Sequence, residues 1–297
     1  MTSSRDDSGP GSAAIGVAAG FDAAAEAYDA TGTEFFAHLA GRLVDLAGIR
    51  PGVTVLDVGC GKGAATVPAA RAAGPEGQVT GVDASAAMLA HATEAVRRHG
   101  LANVTLLRAD AADPPLGSGS VDVLLASSVI QFLDRPRQAV RRWLSLLTPG
   151  GTMALSWGMT QDPAWVPVMA ALDAAVPAPT PGFEAFLRRP PFDSPANLER
   201  MLSECGYDGA VTQAELITTV YDSEMQWWHA CLGQAPWAVA WRHIPPSALP
   251  AARAEAFRLL EEIRGPDGRL TRTLGFGYTI ARRPPASQAT GRPDVAR

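Results

Sequence analysis

The sequence predicts an α/β protein: a doubly wound sheet of seven strands with helical lid insertions around strand 6. Three observations predict it. Short apolar runs alternate with stretches of helical periodicity from Val53 to Trp157. The first run leads into Asp57-Val58-Gly59-Cys60-Gly61-Lys62-Gly63, an acid followed by three alternate glycines. After Trp157 the alternation gives way to segments rich in Ala, Pro and aromatic residues.

Residues 1–20, rich in Ser, Gly and Asp, read as a disordered tail, and so do residues 284–297. The segment 21–283 reads as one domain. Two short helices are expected first; in the second, Phe36, Leu39, Leu43 and Leu46 share one face. Pro51-Gly52 ends that pattern, and strand 1 is expected at Val53–Val58 with its helix from about Ala64. Strand 2 is expected at Gln78–Asp83. Ser85 then caps a helix whose apolar face includes Met88, Leu89, Ala92 and Val96, and Gly100 stops it. Strand 3 is expected at Val104–Arg108. Strand 4, Val121–Ala126, is almost wholly apolar, which suits a strand covered on both faces. Arg137–Leu147 reads as a helix, and Pro149-Gly150-Gly151 turns into strand 5 at Thr152–Trp157. Ser194 caps a helix through Ser203, Val211–Tyr221 reads as strand 6 and Arg269–Ala281 as the last strand. Residues 162–191 and 222–268 are the insertions expected to form the lid. A sheet of this Rossmann-like kind opens its ligand crevice at the carboxyl ends of the strands.

The net charge of −5 disfavours an electrostatic grip on nucleic acid or an anionic membrane. No apolar run reaches membrane-spanning length. The three cysteines, Cys60, Cys205 and Cys231, stand apart without CxxC spacing, which points to a reducing, cytoplasmic setting. No cluster has convincing metal-ligand spacing, so a metal is not expected.

Gly59, Gly61 and Gly63 let backbone N–H groups approach a ligand, and the helix beyond favours a carboxylate. Asp57 disfavours a pyrophosphate but suits a ligand carrying an ammonium and a sulfonium. S-adenosylmethionine (SAM) carries both. The rival is a dinucleotide fold, since Gly59, Gly61 and Ala64 satisfy a loose G-x-G-x-x-A.

With Asp57, Asp83, Asp110-Ala111 and Pro149-Gly150-Gly151 in this order, the chain resembles the class I SAM-dependent methyltransferases, close to the small-molecule group that includes ubiquinone- and menaquinone-pathway enzymes. The resemblance implies that Asp57, Gly59, Gly61 and Gly63 hold the methionine portion of SAM and that Asp83 holds the ribose hydroxyls. It also implies that Met88 packs on adenine, that Asp110 and Ala111 bind the adenine amino group, and that Ser127 lies beside the methionine portion. Tyr28 is expected to fold over the cofactor, or to anchor a helix in the core.

The place after strand 4 reads Ser127-Ser128-Val129-Ile130-Gln131 and lacks the Asn/Asp-Pro-Pro-aromatic motif of base-flipping methyltransferases. A small, largely apolar or aromatic metabolite is the expected substrate, with O-methylation in secondary metabolism, such as antibiotic biosynthesis, preferred. C- or N-methylation, a SAM-dependent cyclase and a non-methylating SAM-binding protein are the alternatives. Trp157, Trp227 and Trp228 are candidates for an apolar pocket, against the alternative of an insertion core. Gln131 is a candidate to orient a substrate oxygen. His229 and His243 are candidate general bases. A monomer or homodimer is expected.

Overall fold

The computed structural model describes residues 12–26, 28, 35–177, 191–233, 241 and 243–286. The elements in chain order are α1 (Ser12–Ala24), α2 (Phe35–Ala47), β1 (Thr54–Val58), α3 (Thr66–Ala73), β2 (Gln78–Asp83), α4 (Ala86–Arg98), β3 (Val104–Arg108) and β4 (Val121–Ser127). They continue with α5 (Pro136–Leu146), β5 (Leu147–Thr160), α6 (Val166–Asp173), α7 (Pro195–Glu204), β6 (Asp208–Tyr221), α8 (Glu224–Gly233), α9 (Leu249–Glu262) and β7 (Leu270–Arg282).

The seven strands form one α/β sheet in the order β3-β2-β1-β4-β5-β7-β6. The first five are parallel; β7 runs antiparallel to both β5 and β6. Chain order reverses between β1 and β4, and such a switch point leaves a crevice above the strand ends. One face packs Leu39 and Leu43 of α2 and Ala69 of α3 against Val55, Leu125 and Ala154. The other packs Trp143 of α5 and Leu198 and Leu202 of α7 against Leu56, Leu124 and Leu155.

Two boundaries differ most from the sequence reading. A helix starts at Ser12, inside the segment expected to lack structure, because its small apolar residues continue into a helix that meets α4. The β5 strand starts at Leu147, since Pro149-Gly150-Gly151 is an irregularity within the strand. Gly150 N–H donates to the Arg283 carbonyl and Arg283 N–H to that of Gly151, which holds the irregular stretch in place.

The described parts of the insertions form a further helical layer. Helices α6, α8 and α9 close around Trp165, Trp227, Trp228 and Trp241, with Tyr221 and Leu270 at the base. Thr160 pairs with Gly275, whereas Leu270–Leu274 pair only with Ile217–Tyr221 of β6. The β6/β7 ladder therefore projects past the carboxyl end of β5 and carries the helical layer there.

Candidate functional site

The glycine loop joins β1 to α3 at the switch point. Gly59, Gly61 and Gly63 have φ of +65°, +53° and +88°, a region that excludes most side chains. A Cβ on Gly59 would lie 2.5 Å from Val129 Cγ2, so the chain leaving β4 rests on the loop. Around Gly61 a Cβ would meet nothing within 4 Å, so that part of the loop is open. Cys60 N–H donates to the Val82 carbonyl at 3.0 Å and Gly61 N–H to Asp83 Oδ2 at 2.8 Å, which ties the loop to β2.

Asp57 is fully buried. Thr66 Oγ1 donates to its Oδ2 at 2.6 Å, while Oδ1 has no partner among the described residues. Burial pushes the Asp57 carboxyl up to about 7; the Thr66 hydrogen bond opposes the shift and the charge of Asp83 adds to it. A carboxyl held this way is ready to receive a cationic donor. Asp83 Oδ1 accepts from Ser85 N–H at 2.8 Å. Burial also raises the Asp83 carboxyl, although both of these backbone donors favour its charged form. Each Asp83 oxygen keeps a second acceptor position.

Further along the crevice, Met88 is buried in the first turn of α4, and its N–H donates to the capping Ser85 Oγ at 3.1 Å. Asp110 Oδ1 accepts from Ala112 N–H at 2.8 Å, and the Ala111 carbonyl accepts from Trp143 Nε1 at 2.8 Å. This pair is thus fixed by a local turn and by α5. At the end of β4 the Ser127 hydroxyl lies 3.4 Å from that of Ser156, its partner in β5. Gln131 is buried in the short 3-10 turn Ile130–Phe132.

Sequence reasoning missed two participants. Ser128 is the one non-glycine among the described residues with positive φ, +55°. That conformation costs about 1–2 kcal/mol for a side-chain-bearing residue, and nothing in the residue pattern announces it. Asp22 reaches from α1 to the start of α4, where Oδ1 accepts from Ser85 Oγ and from Ala87 N–H. The Ser85 hydrogen bond holds its carboxyl below the usual value. Phe21 stands edge-on to Phe132 at 5.6 Å, and Lys62 Nζ donates to the Tyr28 carbonyl at 2.8 Å. The N-terminal segment is thus strapped to α4, to the turn after β4 and to the glycine loop. The Tyr28 ring stacks on Phe36 at 4.7 Å, so its firmest described contact is with α2.

The candidates for the substrate side fall differently. Trp157 is 1% exposed, packs in the sheet core beside Phe192 and Met201, and donates from Nε1 to Thr279 Oγ1 at 3.0 Å. Trp227 and Trp228 sit in the core of the helical layer; Trp228 stacks on Trp241 at 5.7 Å. All three indoles are thus buried, Trp157 in the sheet core and Trp227 and Trp228 in a core that the helical layer builds for itself. His229 on α8 and His243 before α9 are both exposed to solvent. A general base acting on an apolar acceptor shares its enclosure, and no described contact brings either imidazole to the strand ends.

The comparisons with known proteins agree with this geometry. A family model described as a methyltransferase domain matches residues 55–151. Nocamycin O-methyltransferase of Saccharothrix syringae is 37% identical over 283 residues, covering 90% of this chain and 98% of that protein. Aklanonic acid methyltransferase of Streptomyces sp. (strain C5) is 36% identical over 136 residues, 46% of this chain and 62% of that protein. Among solved structures, the YcgJ protein of Bacillus subtilis shares the fold with a TM-score of 0.56 at 17% identity, over 83% of this chain and 98% of its own. The chain belongs to the class I SAM-dependent methyltransferases.

Proposed function

We propose that the protein transfers a methyl group from SAM to an oxygen of a small, largely apolar or aromatic metabolite in secondary metabolism. The observation that carries the cofactor half is Asp57, a buried carboxyl whose Oδ1 has no partner among the described residues and which lies under a glycine loop at the switch point. A ligand ammonium would satisfy that oxygen and favour its charged form. The full-length likeness to an O-methyltransferase supports the choice of oxygen over carbon or nitrogen.

In this reading the loop from Gly59 to Gly63 and Asp57 hold the methionine portion, the free acceptor positions of Asp83 hold the ribose hydroxyls, and Met88 with Asp110 and Ala111 holds adenine. Ser127 lies beside the methionine portion, and the strap bearing Tyr28 covers the crevice. SAM supplies an electrophilic methyl group on a sulfonium. The protein's part is alignment and exclusion of water, for which the strap and the helical layer are placed. Gln131 orients the acceptor oxygen from beyond β4. The separate, buried thiols of Cys60, Cys205 and Cys231 fit the cytoplasmic setting proposed for such an enzyme.

Methyl-labelled SAM incubated with candidate acidic or phenolic metabolites, followed by mass spectrometry, should show label on an acceptor oxygen. An isomerised product without label would support a cyclase instead. Alignment without a histidine base predicts that His229→Gln and His243→Gln each leave kcat within about threefold, against the 10²-fold or greater loss expected for a general base.

A further inference from the structure

Ser128 directly follows β4, and its backbone N–H donates to both the carbonyl and the hydroxyl of Ser156, each at 3.1 Å. The next residue, Val129, rests on Gly59 of the glycine loop. Ser128 therefore stands where the end of β4, Ser156 of β5 and the loop after β1 meet. Its backbone is left-handed, with φ of +55°. Its Oγ is buried and has no hydrogen-bond partner among the described residues. Asp57 Oδ1, at the end of the neighbouring β1, is a second such atom.

Two features of Ser128 are unfavourable in the protein by itself. Glycine would hold the left-handed turn at lower cost. A buried hydroxyl without a partner is worse than no hydroxyl at all. Neither the turn nor the packing of Val129 requires an oxygen at this position. A ligand that hydrogen-bonds the hydroxyl would account for both features, since strained residues of this kind gather at ligand sites. We infer that Ser128 is a cofactor-binding residue whose hydroxyl hydrogen-bonds the amino-acid end of SAM. The inference rests on SAM occupying the crevice between the glycine loop and β4.

Titration calorimetry with two probes tests it. S-adenosylhomocysteine has the amino-acid end, and 5′-methylthioadenosine lacks it. Ser128→Ala and Ser128→Gly should each weaken S-adenosylhomocysteine binding about tenfold while changing 5′-methylthioadenosine binding less than about twofold. Ser128→Gly also relieves the backbone, so its Tm should equal or exceed that of the wild type, which keeps the test usable if the alanine variant folds poorly. Unchanged S-adenosylhomocysteine affinity in Ser128→Gly overturns the inference, as does an equal loss for both probes. Failure of the wild-type protein to bind S-adenosylhomocysteine overturns the cofactor reading itself, and Ser128's role with it.

Discussion

At the scale of single residues, the carboxyl of Asp57 sets a pH signature. Its value of about 7 in the folded chain exceeds the 3.8 of an ordinary aspartate, so folding favours the protonated form. The stability this contributes is complete below the ordinary value and is lost as pH rises through about 7. A ligand ammonium favours the ionised form, so ligand affinity should rise over the same interval. Thermal shift with S-adenosylhomocysteine should therefore grow from pH 5 to pH 8, about the span over which such a group titrates, and Asp57→Asn should flatten the dependence. The loop glycines differ from one another. Gly59→Ala adds a clash with Val129 to an unfavourable φ, whereas Gly61→Ala meets open space. Denaturant unfolding should find Gly59→Ala less stable than Gly61→Ala by about 1–3 kcal/mol. Asp57, Asp83 and the glycines were legible in the sequence because each ends an apolar run or opens a helix. Ser128 was not, because its conformation is imposed by β5 and by the glycine loop, both far away in the chain.

At the scale of elements, the strap works through capping. The α4 helix has Ser85 as its N-cap, and Asp22 adds a carboxylate from another helix to the same end. Helix ends favour negative charge there, and removal of a cap costs about 0.5–2 kcal/mol. Asp22→Ala should loosen α1 and the first turn of α4 together, seen as faster hydrogen exchange in both segments and little change in the sheet. The sequence marks Ser85 as a cap by its place before an apolar helical pattern. It gives no sign that Asp22 joins this cap, since the two residues lie 63 positions apart. The five parallel strands were legible from apolar runs and turn residues. The early start of β5 was not, because Pro149-Gly150-Gly151 reads as a break and is instead held in the sheet by β4 and Arg283.

At the scale of the whole molecule, the helical layer around the tryptophans has its own core and joins the sheet through the β6/β7 ladder. Trp227, fully buried, lies 5.7 Å from Trp165 and 6.3 Å from Trp241. Trp227→Ala should cost about 3–5 kcal/mol, and the loss should fall on this layer first. Calorimetry should then show a separate low-temperature transition, while S-adenosylhomocysteine affinity stays close to that of the wild type. The aromatic content of the insertions was plain in the sequence. Whether it lined a pocket or built an internal core stayed open there, because composition does not say which face of an indole is covered.

The strap also has a consequence for timing. Residues of α1 and Tyr28 are fastened to α4, to Phe132 and to Lys62, and in the function proposed above they cover the crevice. A ligand held beneath such a bridge leaves only when the bridge lifts, and a new one arrives only in the same moment. Lys62→Met should therefore speed association and dissociation of S-adenosylhomocysteine by similar factors in stopped-flow experiments and move the equilibrium constant little. Turnover in the intact protein would then be paced by release of the spent cofactor.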